Sequence, residues 1–201
     1  GGANYGTSGQ VLTSQGNAAA PQWATVGGAW NKIASGTSDS GTTHLITNNG
    51  ITNSYLKYKV IFDMTATSAY GNFAIDITTD GGSTWKGGSN VWGIVVQGRG
   101  TSAGSSYDWY GYPQSQGFFH NQGHQKCVGE TVITQPTLTN MHKVFQGDYW
   151  LGEGANAVMN CCQNTCVCST NDAITGLRLY TSAGQTSANT LVKWILLGCA
   201  M

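Results

Sequence analysis

Residues 55–64 constrain the fold more than any other stretch: Tyr58, Val60, Phe62 and Met64 fall at alternate positions, with Lys57, Lys59 and Asp63 between them. A period of two puts each set on its own face of an extended chain, so the segment predicts a half-buried β-strand. Phe73, Ile75 and Ile77 alternate with Ala74, Asp76 and Thr78 in the same way. Further strands are expected over 30–34, 44–47, 91–97, 143–150, 174–181 and 191–197, and no stretch combines helical periodicity with caps. About eight short strands separated by Gly, Ser, Asn and Asp clusters favour an all-β, antiparallel β-sandwich of jelly-roll-like form over a propeller.

The sequence Thr78-Thr79-Asp80-Gly81-Gly82-Ser83-Thr84-Trp85 has the composition of a tight hairpin. It resembles the Asp-box of sialidases, a hairpin whose Asp bonds the turn backbone and whose Trp anchors the loop. In sialidases the box recurs in successive blades, away from the catalytic site. Here it occurs once, so it is read as turn chemistry and not as a propeller repeat or a catalytic element.

With 201 residues, the chain has room for one sizeable domain and an extension. Charged residues make up only 9% of it, against roughly 25% in an average soluble protein, and Lys+Arg balances Asp+Glu at nine each. A neutral chain without basic clusters lacks the charge that binding nucleic acid demands. No apolar run approaches the ~18 residues of a membrane span, so no membrane insertion is expected. The chain opens on Gly1, as the C-terminal part of a longer polypeptide would.

Beyond Tyr5, the only sizeable apolar groups before residue 29 are Val11, Leu12, Trp23 and Val26, too few to close a core within one chain. Gly6, Gly9 and Gly16 permit tight bends, and Pro21 biases its neighbourhood toward extended backbone. Residues 6–24, with Gly6-Thr7-Ser8-Gly9-Gln10-Val11-Leu12-Thr13-Ser14, a run of small polar residues and then Pro21-Gln22-Trp23, closely resemble a linker-like element of bacteriophage tail fibres and other virion appendages. Residues 173–184 and 191–198 are similar to the closing strand pair of many such tips. The resemblance implies a viral structural protein on the virion exterior, with an extended stem at 1–28 and a β tip at 29–201. It implies a homotrimer in which Val11, Leu12 and Trp23 pack copies together and the N-terminal segment meets other virion proteins.

Six cysteines, Cys127, Cys161, Cys162, Cys166, Cys168 and Cys199, are open to three readings: a disulfide framework, simple apolar packing, or a zinc site built on Cys162 and Cys166 with Cys127, His120 or His124. In extended chain Cys161 and Cys162 point to opposite faces, which argues against four local thiols sharing one ion. A structural role without metal is the expectation. Some phage tips bind iron through a His-x-His repeat; His120 and His124 depart from that spacing, so no cofactor is implied.

Glycoside cleavage needs two carboxyl groups roughly 5–10 Å apart in a groove, and Asp108, Glu130, Asp148 and Glu153 fall in no recognisable motif. No nucleophile elbow, zinc-protease motif or phosphate loop occurs, so the chain is not expected to be an enzyme. Binding has better support: residues 105–119 crowd aromatics among Gly, Ser and Gln without strand regularity. Tyr107, Asp108, Trp109, Tyr110, Tyr112 and Gln114 are the expected contacts with a host-surface glycan or protein, since ring faces stack on pyranoses while carboxylates and amides bond hydroxyls. The alternative for these aromatics is the core or a subunit interface. Two other functions fit the sequence, a capsid-attached fibre or decoration protein and a non-viral secreted carbohydrate-binding module.

Overall fold

The computed structural model describes residues 5–8, 10–25, 29–38, 43–66, 72–86, 91–101, 104–113, 126–152, 159–182 and 190–200. They form β-strands and no helix. In chain order these are β1 (Gln10–Thr13), β2 (Gln22–Thr25), β3 (Asn31–Ser38), β4 (Thr43–Thr47), β5 (Lys57–Ala66), β6 (Asn72–Thr78) and β7 (Val91–Thr101). There follow β8 (Gly104–Pro113), β9 (Lys126–Thr134), β10 (Lys143–Gly152), β11 (Met159–Cys168), β12 (Gly176–Ser182) and β13 (Thr190–Cys199). The large sheet has eight strands in the order β3-β13-β5-β9-β10-β11-β7-β8, the small one has three, β4-β12-β6, and β1 and β2 form a hairpin of their own. Every pairing is antiparallel.

The alternation in β5 sets the inside of the large sheet. Tyr58, Val60, Phe62 and Met64 are buried, and they share one core with Phe73, Ile75 and Ile77 of β6, Leu177 and Leu179 of β12, and Val192 and Leu196 of β13. Apolar side chains of both sheets are therefore removed from water together, the main favourable term in folding. The Tyr58 hydroxyl accepts from Thr52 N at 2.7 Å and donates to Thr52 O at 2.8 Å, which ties the loop before β5 to the core. Lys143 is buried at the start of β10, where its ammonium donates to the carbonyls of Leu138 and Met141. Burial pushes its pKa below the ordinary lysine value.

One sequence expectation changes in the structure. Residues 105–119 were expected to form an irregular aromatic loop, but 104–113 are β8, paired with β7 along its length from Thr101↔Gly104 to Trp92↔Pro113. Tyr and Trp suit a pleated strand, and Pro113 is the last residue of an edge strand, a place where proline is tolerated. Within the N-terminal segment, residues 10–25 form the β1–β2 hairpin, with Leu12 opposite Trp23. Gly6, at φ +70°, leaves room for the Trp23 ring, since a Cβ there would come within 2.7 Å of it.

On the other side of the small sheet, Asp76 and Arg178 are cross-strand partners. The guanidinium donates to Asp76 Oδ2 from Nε at 2.9 Å and from its terminal nitrogen at 2.7 Å, and it lies 4.6 Å from the Trp85 ring centroid. Burial raises the Asp76 pKa, and the bond and charge of Arg178 oppose that rise. Removing Arg178 leaves a buried carboxylate without its counter-charge, so Arg178→Met is expected to cost about 3 kcal/mol at neutral pH. Because the folded-state pKa of Asp76 then lies further above its unfolded value, the loss should shrink as pH falls through the carboxylate range, where the folded protein takes up the proton. Urea denaturation at pH 7 and pH 4 checks this; a pH-independent loss would contradict it.

Candidate functional site

The large sheet arranges its residues in rows across the strands, and the rows sort the expected contact residues. Glu130, Asp148, Gln163, Val96 and Trp109 are successive register partners from β9 to β8. Tyr107 falls in the row of Trp150 and the exposed Cys161, two residues along. Asp108 occupies the row of the buried Tyr149 and Cys162, while Tyr110 and Tyr112 occupy those of the buried Asn164 and Cys166. Sequence reasoning grouped these residues as one surface. Strand periodicity divides them between the two sets of rows. Gln114, together with Phe118, Phe119, His120, His124 and Glu153, lies outside the described residues.

The rows that carry Trp109 and Tyr107 continue across the outer face of the large sheet, the first through the exposed Gln163 and Asp148 to Glu130 and the second through the exposed Cys161 to Trp150 and Val128. An open groove of about 480 Å³ is lined there by Trp30, Lys57, Lys59, Glu130, Gln146 and Asp148, among others. Lys59 sets its geometry. The Lys59 ammonium lies 2.6 Å from Glu130 Oε1 and 5.1 Å from the Trp30 ring centroid, so one cation holds a carboxylate and an indole in place together. Gly147 lies between Glu130 and Asn164, where a Cβ would come within 2.8 Å of Glu130 O and Asn164 Oδ1. A second groove, of about 580 Å³, shares Asp148 and Gln163 and runs on to Val128, Trp150 and Cys161. Glu130 and Asp148 were visible in the sequence as carboxylates without a motif. Their cross-strand pairing is what the sequence did not reveal.

The cysteines are explained by β11. Its burial alternates, with Cys161 exposed and Cys162, Cys166 and Cys168 buried, so the opposite orientation expected of the Cys161-Cys162 pair is observed. Cys162 and Cys166 lie four residues apart on one strand, about 13 Å at ~3.3 Å per residue, too far to share a zinc ion bound at ~2.3 Å from each sulfur. Cys127 and Cys162 are on strands separated by β10, about 9.6 Å apart at ~4.8 Å per strand spacing and beyond the ~7 Å limit for a disulfide. All six cysteines are among the described residues and none is in a disulfide. Burial raises the thiols of Cys162 and Cys166 to about 12.

The Asp80 hairpin is held by its own side chains. Asp80 Oδ2 accepts from Thr84 Oγ1 at 2.5 Å, Oδ1 accepts from Thr84 N at 2.9 Å and from Thr78 Oγ1 at 2.7 Å, and Gly81 and Gly82 take φ of +70° and +94°. These bonds, chiefly from Thr84, hold the Asp80 carboxyl well below the usual carboxylate range. Its structural role accounts for the resemblance to the Asp-box. Trp85, expected to anchor the loop, is half-buried beneath Arg178.

On the N-terminal hairpin the expected packing residues remain accessible. Val11 is 43% and Leu12 57% exposed, and Leu12 lines a groove with Pro21 and Trp23. No family model, curated protein or solved structure matches this chain.

Thiol chemistry tests the assignment of the buried rows. A thiol-reactive disulfide reagent at pH 8 should modify Cys161 first and Cys199 next in the native protein. Cys127, Cys162, Cys166 and Cys168 should react only on unfolding. Modification of Cys162 or Cys166 at the rate of Cys161, mapped by mass spectrometry, would contradict this arrangement.

Proposed function

We propose that the chain is the tip of a bacteriophage tail fibre or related virion appendage and that it attaches the particle to a host-surface glycan. The observation that carries this reading is the element at residues 6–24, which resembles the appendage linker over nearly its whole length. The exposed Val11 and Leu12 support it, because apolar side chains left in water on a small hairpin gain by burial against other copies. On this reading residues 1–28 form the stem and 29–201 a jelly-roll-like sandwich. Three copies associate through Val11, Leu12 and Trp23, and the N-terminal segment joins other virion proteins on the particle's outer surface.

The contact with the host is assigned to the β8 edge of the large sheet, with Trp109 leading because its row continues into the exposed Gln163 and Asp148, and Tyr107 beside it because its row continues into the exposed Cys161. The role is binding and not catalysis: Lys59 holds Glu130 as an ion pair, which suits positioning better than proton transfer. Trp109→Ala should reduce adsorption of the purified chain to host cells at least tenfold and, with its row continuing into the exposed Gln163 and Asp148, leave the melting temperature within about 2 °C. Loss of folding would instead place Trp109 in the core. Undiminished adsorption would overturn the assignment of this edge.

A further inference from the structure

The two grooves on the outer face of the large sheet meet at Asp148 and Gln163, with Trp30 lining one and Trp150 the other. Asp148 and Gln163 are direct cross-strand partners on β10 and β11, and both are exposed. The row of Trp150 and the row of Lys59, which touches Trp30, lie four residues apart along the strands, about 13 Å at ~3.3 Å per residue. An aromatic at each end and a carboxylate–amide pair between them is the chemistry that takes a chain of polyhydroxylated rings. Indoles cover the C–H faces, while Asp148 accepts from hydroxyls and Gln163 both donates and accepts.

Charge narrows the class of sugar. The polar groove carries Lys57 and Lys59 against Glu130 and Asp148, two cations and two anions, and Lys59 is already committed to Glu130. At the junction of the grooves the exposed charge is the Asp148 carboxylate, which repels sialic acids, uronic acids and phosphorylated sugars. We infer that the outer face of the large sheet, between Trp30 and Trp150, binds an uncharged oligosaccharide through Asp148 and Gln163. This deepens the reading of the chain as a glycan-attachment protein but uses strands β9 to β11 of the outer face and not its β8 edge, and it holds whether or not the chain belongs to a virion.

The test is a nitrogen-15 NMR titration of the full chain with maltotriose, lactose, mannotriose and N-acetylchitotriose, and with 3′-sialyllactose as the anionic counterpart of lactose. At least one neutral sugar should shift amides in residues 146–150 and 161–165. Asp148→Ala, at an exposed position, should weaken that binding at least tenfold with the melting temperature unchanged, and Gln163→Ala should also weaken it. If lactose binds, 3′-sialyllactose should bind at least tenfold more weakly. The inference is overturned if no neutral sugar shifts these amides, if shifts are confined to residues 104–113, if Asp148→Ala binds as tightly as the parent, or if 3′-sialyllactose binds as tightly as lactose. Parallel adsorption to host cells separates the two proposals. Absence of neutral-sugar binding together with adsorption that is lost in Trp109→Ala removes this site but leaves attachment through the edge, whereas sugar binding here without adsorption removes the attachment reading alone.

Discussion

Burial of Tyr58, Val60, Phe62 and Met64 against the small sheet is the interaction that fixes everything outside it. Because successive side chains of a strand point to opposite faces, that choice sends Lys57, Lys59, Ile61 and Asp63 outward. The ladders then carry the choice from strand to strand: Ile61 faces Glu130, Glu130 faces Asp148, and Asp148 faces Gln163. A slip of one residue in any of these pairings would bury a carboxylate and expose the core row. The outer face is thus as strongly specified as the core, although little of its own packing specifies it.

This dependence explains what could be read from the sequence. Strand β5 was legible down to which residues face in, because its alternation is strict, and the neighbourhoods of β3, β4, β6, β7, β10, β12 and β13 were legible for the same reason. Strand β9 was missed because it carries apolar residues on both faces, with Val128 and Val132 outside and Cys127 and Ile133 inside, and Gly129 interrupts the inner row. Strand β11 was missed because its inward residues are Cys162, Asn164, Cys166 and Cys168, which read as ligands or crosslinks when taken in sequence. In the fold they serve as small buried side chains beneath the sheet, and their spacing reflects a period of two.

The candidate site was less legible still. The aromatics of β8 could be picked out by composition, but the groove at Trp30, Lys59, Glu130 and Asp148 is assembled from β5, β9, β10 and a residue just ahead of β3. No local motif encodes such a juxtaposition. Only the register of the large sheet brings together side chains separated by 71 positions, as with Lys59 and Glu130. Cysteine orientation, by contrast, needed only the alternation of a single strand, and it was anticipated.

The proposed role as an appendage tip requires copies of the chain to associate, and the hairpin at residues 10–25 leaves Val11 and Leu12 half-exposed. Light scattering of the intact chain beside a chain lacking residues 1–26 measures that association directly. A trimer that weakens or dissociates on truncation is the expected result. A stable monomer in both forms would contradict assembly through the N-terminal segment and leave a solitary carbohydrate-binding module in its place.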